Sequence, residues 1–242
     1  MTTLTVSPVP GASLLPVDFL RPAFSPAAPL PLRSPVPSRA SHKPAVFLDR
    51  DDTILNTTPR TALTAAPGDL IDPALVELLP GAAAAIARLQ AAGFTVVVIS
   101  NQGSVARGLA SLAQVELIND TFRKLLRPLP PLPVYYCPFH PKHPGNAFGF
   151  PHSWQKPGPG MFHAAAADLD LDLAASYTVG DKVRDMAAGI AAGLRPDHCF
   201  LLNTTGEHAR LAANPAALPA SVQLCTDLPA AADLIVQHSS NI

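Results

Sequence analysis

Short apolar segments alternate with helix-like segments from residue 45 onward, and this alternation most constrains the fold. The apolar runs cover residues 45–48, 94–99, 134–136, 177–179 and 199–202. The helix-like segments cover residues 80–92, 112–126, 161–169, 186–192 and 228–236. Strands that are apolar throughout and alternate with helices are typical of a parallel sheet covered on both faces. We therefore expect an α/β fold with a doubly wound, Rossmann-like parallel sheet.

Charge and proline content bound the organisation of the chain. With 17 Lys+Arg against 18 Asp+Glu, the chain gives no electrostatic reason to expect a nucleic-acid or membrane partner. Nine of its 28 prolines fall within residues 1–42. Because proline removes backbone donors, we expect residues 1–43 to be a disordered tail and residues 44–242 to form the domain. Three scattered cysteines and no membrane-length apolar run favour a cytoplasmic protein, which we expect to be a monomer.

Polar side chains follow four of the predicted strands, at the edge where parallel sheets place their sites. They are Asp49 and Asp51, then Ser100 with Asn101 and Gln102, then Lys156, and finally Asp181. Carboxylates from two strands suit Mg²⁺, and a carboxylate can attack phosphorus to form an aspartyl-phosphate. A second acid two residues along the strand can protonate the leaving oxygen, while Ser and Lys neutralise phosphoryl charge. The order of these residues predicts phosphoryl transfer on a small phosphorylated metabolite.

Five motifs resemble those of the haloacid-dehalogenase-like phosphatases over roughly residues 44–238. They are residues 47–53, 100–108, 135–138, 156–161 and 175–182, the first containing Asp-Arg-Asp-Asp-Thr and the last Gly-Asp-Lys. The resemblance is closest to the branch of heptose-bisphosphate and histidinol-phosphate phosphatases. It implies a Mg²⁺-dependent phosphatase with an aspartyl-phosphate intermediate and no separate cap domain. Loops near 54–75 and 137–155 would then shape the specificity of the pocket.

The resemblance also implies a role for each matching residue. Asp49 corresponds to the nucleophile and a Mg²⁺ ligand, and Asp51 to the general acid and base, which binds the metal through its carbonyl. Asp181 completes the metal site, with Asp185 expected to support it rather than bind. Ser100 and Lys156 correspond to the groups that stabilise the phosphoryl oxygens. The implied substrate-binding residues are Asn101, Gln102, Gln155, Lys182 and Arg107.

The substrate is the less constrained part of this hypothesis. D-glycero-D-manno-heptose 1,7-bisphosphate, losing its 7-phosphate, is the best single expectation, with histidinol phosphate or another sugar phosphate as alternatives. Gln155 stands where the heptose enzymes have an arginine that helps to read the distal phosphate, so a positive charge is missing there, and Arg60 is a candidate to replace it. A non-catalytic phosphate-binding or interaction protein on the same fold is the alternative from a different class.

Two further departures from the branch concern acids and thiols. Asp52 stands where the branch has glycine, so a third carboxylate follows the first strand. The branch often folds the loop before the motif lysine around zinc, using three cysteines and a histidine. Here only Cys137 remains, although His140 and His152 could rebuild a zinc site with it. Because their spacing fits no known zinc motif, loss of the zinc is the favoured interpretation.

Overall fold

The computed structural model describes residues 42–143 and 145–240, so nearly all of the predicted tail lies outside the described residues. Six parallel strands form one sheet in the order β3-β2-β1-β4-β5-β6. The strands are β1 (Lys43–Leu48), β2 (Thr95–Asn101), β3 (Val134–Cys137), β4 (Leu171–Gly180), β5 (Cys199–Leu202) and β6 (Gln223–Cys225). The helices are α1 (Thr57–Thr61), α2 (Ala82–Ala91), α3 (Leu112–Leu125), α4 (Gly160–Leu169), α5 (Val183–Ala191), α6 (Glu207–Ala213) and α7 (Leu228–Ser240).

Both faces of the sheet are covered, as the apolar strands predict. Along β1, Val46 and Leu48 pack into one core with α2, α3 and α7, while Ala45 and Phe47 pack into the other with α4 and α5. Alternate residues of one strand thus serve two cores, which explains why residues 45–48 of β1 are all apolar. The result is the Rossmann-like doubly wound fold expected from the sequence, and no separate cap domain is evident in the part of the chain that the structure describes.

The structure extends or adds several elements that the periodicity did not predict. The strand predicted at 177–179 runs back to Leu171, with a register shift where it passes Pro44 of β1. Helices α1 and α6 and strand β6 were not predicted; they have five, seven and three residues, which is too short for a periodic pattern. The helix predicted from Pro80 begins at Ala82 instead, after Gly81 in a left-handed conformation. None of the helices in the described ranges is long and apolar enough to cross a membrane.

Strand order sets the position of the site. Strands β1 and β4 are adjacent at the centre of the sheet, and each is followed directly by an aspartate, Asp49 or Asp181. The backbone N–H of Asp49 donates to the carbonyl of Val179, which holds the two strand ends side by side. Strand β2 lies on the other side of β1 and brings Ser100 and Asn101 to the same edge. The predicted residues therefore meet at the carboxyl edge of the sheet.

Candidate active site

A buried lysine joins two carboxylates at the centre of the site. The Nζ of Lys156 lies 2.8 Å from Oδ1 of Asp49 and 2.7 Å from Oδ1 of Asp185. It also donates to the carbonyl of Ile99 at 3.1 Å. Burial alone lowers the pKa of the Lys156 ammonium, but Asp185 and Asp49 outweigh it and hold the pKa above its ordinary value. Lys156 is therefore a fixed positive charge beside Asp49.

Three buried carboxylates converge beside this lysine. One oxygen each from Asp49, Asp181 and Asp185 lies within 4.8 Å of the others, the only such acidic, His or Cys group among the described residues. All donors in the set are carboxylate oxygens, the hard ligands that Mg²⁺ prefers. Burial raises the pKa of Asp49 to about 8, Lys156 opposes the rise, and the charges of Asp185 and Asp181 add to it. Because burial and mutual repulsion disfavour ionisation of these acids, a divalent cation bound between them would stabilise their charged forms.

Asp181, a second member of the acidic group, is held by two neighbours. Oδ2 of Asp181 lies 2.8 Å from the ammonium of Lys182 and accepts a hydrogen bond from Oγ1 of Thr205 at 2.8 Å. Burial and the charge of Asp185 raise the pKa of Asp181, while Lys182 and Thr205 oppose the rise. The structure thus brings Asp185 into the acidic group, where the sequence assigned it only a supporting role. Its Oδ2 also accepts from the backbone N–H of Lys182 at 3.0 Å.

Asp51 lies apart from the acidic group, in a network of donors. Its carboxylate accepts from Thr57 Oγ1 at 2.7 Å, from Gln102 Nε2 at 2.9 Å and from Arg50 Nη2 at 3.0 Å. The Arg50 side chain is fully buried and also donates to Asn119 of α3 at 2.9 Å. Burial raises the pKa of Asp51, but the charge of Arg50 and these hydrogen bonds outweigh it, and the net pKa is lowered. The acid is therefore ionised in the free protein.

Two side chains at the end of β2 support the neighbouring charges. Asn101 exchanges two hydrogen bonds with the backbone of Lys156, one of 2.9 Å and one of 3.0 Å, and so fixes the segment that carries the lysine. Ser100 donates weakly to Asp51, at 3.4 Å, and its hydroxyl accepts from Gln102 at 2.8 Å. The sequence predicted substrate binding for Asn101, but the oxygen and the nitrogen of its side-chain amide are both hydrogen-bonded to the backbone of Lys156.

Asp52 turns its carboxylate away from the acidic group. The residue adopts a left-handed backbone with φ of 56°, where glycine fits readily and aspartate is tolerated. Its carboxylate accepts from the backbone N–H of Thr58 at 2.8 Å and from the Thr58 hydroxyl. The Asp52 carboxylate therefore caps the start of α1. This contact explains how a third acid can follow the first strand, close to Asp49 and Asp51.

These groups open into one cavity of about 400 Å³. Its walls come from the strand ends and from both predicted loops, including Pro67, Gly68 and Leu70 of the first and His140 and Gln155 of the second. Arg107 lines the cavity in an ion pair with Asp69. Arg60, a candidate from the sequence for replacing the missing charge, pairs instead with Glu77 at 3.4 Å and is not among the lining residues.

The three candidate zinc ligands do not meet in the described residues. Cys137 is buried in the second core, and its thiol lies 3.9 Å from the carbonyl of Phe139. His152 stacks on the ring of Phe139 with centroids 4.3 Å apart, and His140 lines the cavity. The loop is packed through aromatic contacts among Phe139, Phe148 and Phe150.

Sequence reasoning missed several residues that complete the site. Arg184 and Asp69 line the cavity, and Thr205 holds Asp181. Arg184 follows the Gly-Asp-Lys motif by two positions, so its place in the sequence was a usable signal. Asp69 and Thr205 lie 16 residues or more from any matched motif residue, and although Asp69 falls within the predicted loop 54–75, only the fold shows that it lines the cavity.

Comparisons with known proteins point to one family. A family model described as HAD-hydrolase-like matches residues 153–231. D-glycero-beta-D-manno-heptose-1,7-bisphosphate 7-phosphatase of Escherichia coli O6:H1 is 37% identical over 157 residues, covering 64% of this chain and 78% of that protein. The protein of the same name from Bordetella bronchiseptica is 33% identical over 196 residues, covering 80% of this chain and 98% of the relative.

Solved structures agree with the sequence relatives. The D,D-heptose 1,7-bisphosphate phosphatase of B. bronchiseptica, complexed with magnesium and phosphate, aligns with a TM-score of 0.65 at 30% identity, covering 81% of this chain and 99% of that one. The corresponding enzyme of Burkholderia thailandensis aligns with a TM-score of 0.55 at 28% identity, covering 80% and 99%. The fold, the arrangement of the site and these relatives agree, and the chain belongs to the haloacid-dehalogenase-like phosphatases, a family of phosphoric monoester hydrolases.

Proposed function

We propose that this protein is a Mg²⁺-dependent phosphatase that removes the 7-phosphate of D-glycero-D-manno-heptose 1,7-bisphosphate. The observation that carries the chemistry is Asp49, a buried residue that lines a polar cavity and is held 2.8 Å from the ammonium of Lys156. The observation that favours the heptose substrate is the name shared by relatives that are 33–39% identical. Histidinol phosphate has no such support among these relatives.

Mg²⁺ would be held by Asp49 and Asp181, with the Asp51 carbonyl as a further oxygen ligand. Asp185 shares the acidic group, but its salt bridge to Lys156 at 2.7 Å favours a supporting position. When bound, the ion supplies positive charge that favours ionised carboxylates and neutralises phosphoryl oxygens. This charge is needed because the three buried acids are paired with only two ammonium groups, those of Lys156 and Lys182.

Asp49 is proposed to act as the nucleophile. One of its carboxylate oxygens attacks phosphorus, the bond from phosphorus to the sugar oxygen breaks, and the phosphoryl group is transferred to Asp49. Lys156 and Ser100 lie beside this point and offer an ammonium and a hydroxyl to the phosphoryl oxygens, where charge is greatest in the transition state. Because both are buried, neither must be reorganised from water.

Asp51 is proposed to move the proton. A dianionic phosphate next to Asp51 raises the pKa of that carboxyl, because like charge disfavours ionisation, so the acid takes up a proton as the substrate binds. Asp51 gives this proton to the leaving sugar oxygen. It then accepts a proton from the water that attacks phosphorus, which releases inorganic phosphate and restores Asp49. Arg50, Thr57 and Gln102 fix its orientation through both steps.

The loops at 54–75 and 137–155 are proposed to decide the substrate. Both contribute walls to the cavity, and no cap domain is evident to replace them in the described ranges. The left-handed Asp52 fixes the start of the first loop, and the aromatic cluster around Phe139 fixes the second. An open cavity of about 400 Å³ fits a small phosphorylated metabolite.

The experiment is phosphate release over a panel that contains heptose 1,7-bisphosphate, histidinol phosphate and a generic aryl phosphate, with Mg²⁺ or with a chelator. We expect Mg²⁺-dependent turnover, with the highest kcat/KM for the heptose bisphosphate. Higher kcat/KM for histidinol phosphate would overturn the substrate and keep the reaction. A folded protein that is inactive across the panel with Mg²⁺ would overturn the proposed reaction and favour the phosphate-binding alternative.

A further inference from the structure

The lining of the cavity also contains cationic side chains. Four lysine or arginine side chains line the cavity: Arg107, Lys156, Lys182 and Arg184. The first three are paired, with Asp69, with Asp49 and Asp185, and with Asp181, respectively. Arg184 makes no ion pair with any carboxylate of the described residues, and it is exposed at the cavity wall. It is therefore the cation that remains available to an incoming anion.

Other cationic groups lie near Arg184 and add to the positive potential around it. His140 lines the same cavity, and besides its partial burial, the charges of Arg107, His143, Lys142 and Arg184 lower its pKa. A histidine with a pKa lowered by several neighbours marks a positive local potential. Asp69 also lines the cavity, and its charge is already paired with Arg107.

The close packing at Gly103 brings these groups together. A Cβ on Gly103 would lie 3.1 Å from the His140 ring and 3.2 Å from Nη1 of Arg107. Because position 103 is glycine, the His140 imidazole and the Arg107 guanidinium can both lie close to the end of β2. The first turn of α5, which carries Arg184, faces the same space. Three separate segments thus supply one cationic wall.

We propose that Arg184, flanked by His140 and Arg107, forms a subsite for a second phosphate on the substrate. This inference rests on the proposed function, because it takes the substrate to be a sugar bisphosphate. Gln155 lines the cavity without a charge, and Arg60 is paired elsewhere, so neither supplies this contact. A guanidinium can give a phosphate two parallel hydrogen bonds, which lysine and glutamine cannot reproduce.

The test compares two substrates that differ only in the distal group, heptose 1,7-bisphosphate and heptose 7-phosphate. The quantity measured is the ratio of their kcat/KM values. In Arg184→Gln we expect this ratio to fall by roughly tenfold or more, mainly through a higher KM for the bisphosphate. Arg184→Lys should lie between wild type and Arg184→Gln. Lys142→Gln removes a charge near His140 but outside the cavity lining and serves as the matched control.

The possible results distinguish a failure of the proposed subsite from a failure of the proposed phosphatase reaction. A ratio unchanged in Arg184→Gln would overturn the subsite, as would an equal fall in Lys142→Gln, which would indicate a general field rather than a contact. Thermal unfolding of each variant checks the fold, which we expect to be retained because Arg184 is exposed and unpaired among the described residues. A wild-type protein that hydrolyses neither substrate would instead contradict the proposed function, and with it the subsite.

Discussion

At the scale of single residues, Asp52 shows how a side chain can be accommodated where the backbone favours glycine. Its φ of 56° is left-handed, which most residues adopt only with strain. Aspartate offsets this strain through local hydrogen bonds, and here the bonds go to the backbone and hydroxyl of Thr58. The same carboxylate that accepts from one free N–H of α1 is thereby kept out of the acidic group.

Replacing Asp52 by alanine should lower the free energy of unfolding by about 2 kcal/mol, from the lost cap and the left-handed strain. Asp52→Asn keeps an acceptor and tolerates the backbone, so it should stay close to wild type. Asp52→Gly loses the cap but removes the strain and should fall between them. Urea denaturation followed by circular dichroism measures all three. Equal stability of the alanine and asparagine variants would refute the capping role.

At the scale of elements, the junction of β4 and α5 depends on a close approach. A Cβ on Gly180, the last residue of β4, would lie 2.6 Å from Oδ2 of Asp185 in the first turn of α5. The backbone of Gly180 is not left-handed, so glycine is required here for space alone. This space lets Asp185 reach Lys156 and the acidic group at once.

We therefore expect Gly180→Ala to displace Asp185 and to lower kcat by at least roughly tenfold, since small shifts of reacting groups slow chemistry strongly. Gly189→Ala is a matched control at the same pair of elements. Its Cβ would lie 2.8 Å from Cγ2 of Thr178, in the core and away from the cavity. Steady-state kinetics with the preferred substrate should show near wild-type kcat for Gly189→Ala. A similar kcat in both variants would contradict the role of the junction.

Elements also show how far the sequence could predict this structure. The long apolar strands and helices were predicted because each carries its own periodic signal, and all of the predicted site residues line the cavity except Cys137 and His152. The short elements α1, α6 and β6 carry no such signal. The positions of Asp69 and Thr205 follow from tertiary contacts over 38 and 24 residues, which local patterns do not encode.

At the scale of the whole molecule, the buried acids couple the fold to pH and to metal. The pKa of Asp49 is raised to about 8 from an ordinary value of 3.8, chiefly by burial. Between these two values the folded protein binds more protons at Asp49 than the unfolded chain does, so this group makes the metal-free protein less stable as pH rises. A divalent cation binds the ionised carboxylates and opposes the loss.

Mg²⁺ should therefore raise the melting temperature more at about pH 8 than at about pH 6, because fewer protons compete for Asp49 and Asp181 at the higher pH. Differential scanning fluorimetry with and without a fixed concentration of Mg²⁺ measures the shift at each pH. Asp181→Asn should reduce the shift at both. A larger stabilisation at the lower pH would contradict the acidic group as the cation site.

The proposed role of Asp49 as nucleophile can be tested by following the chemical fate of this residue during turnover. Wild-type protein and Asp49→Asn are mixed with the preferred substrate and Mg²⁺, quenched in acid and analysed as peptides by mass spectrometry. We expect a phosphorylated Asp49 in the wild type alone, and phosphate release lowered by roughly a thousandfold or more in a folded Asp49→Asn variant. Turnover at the wild-type rate in that variant would contradict this role.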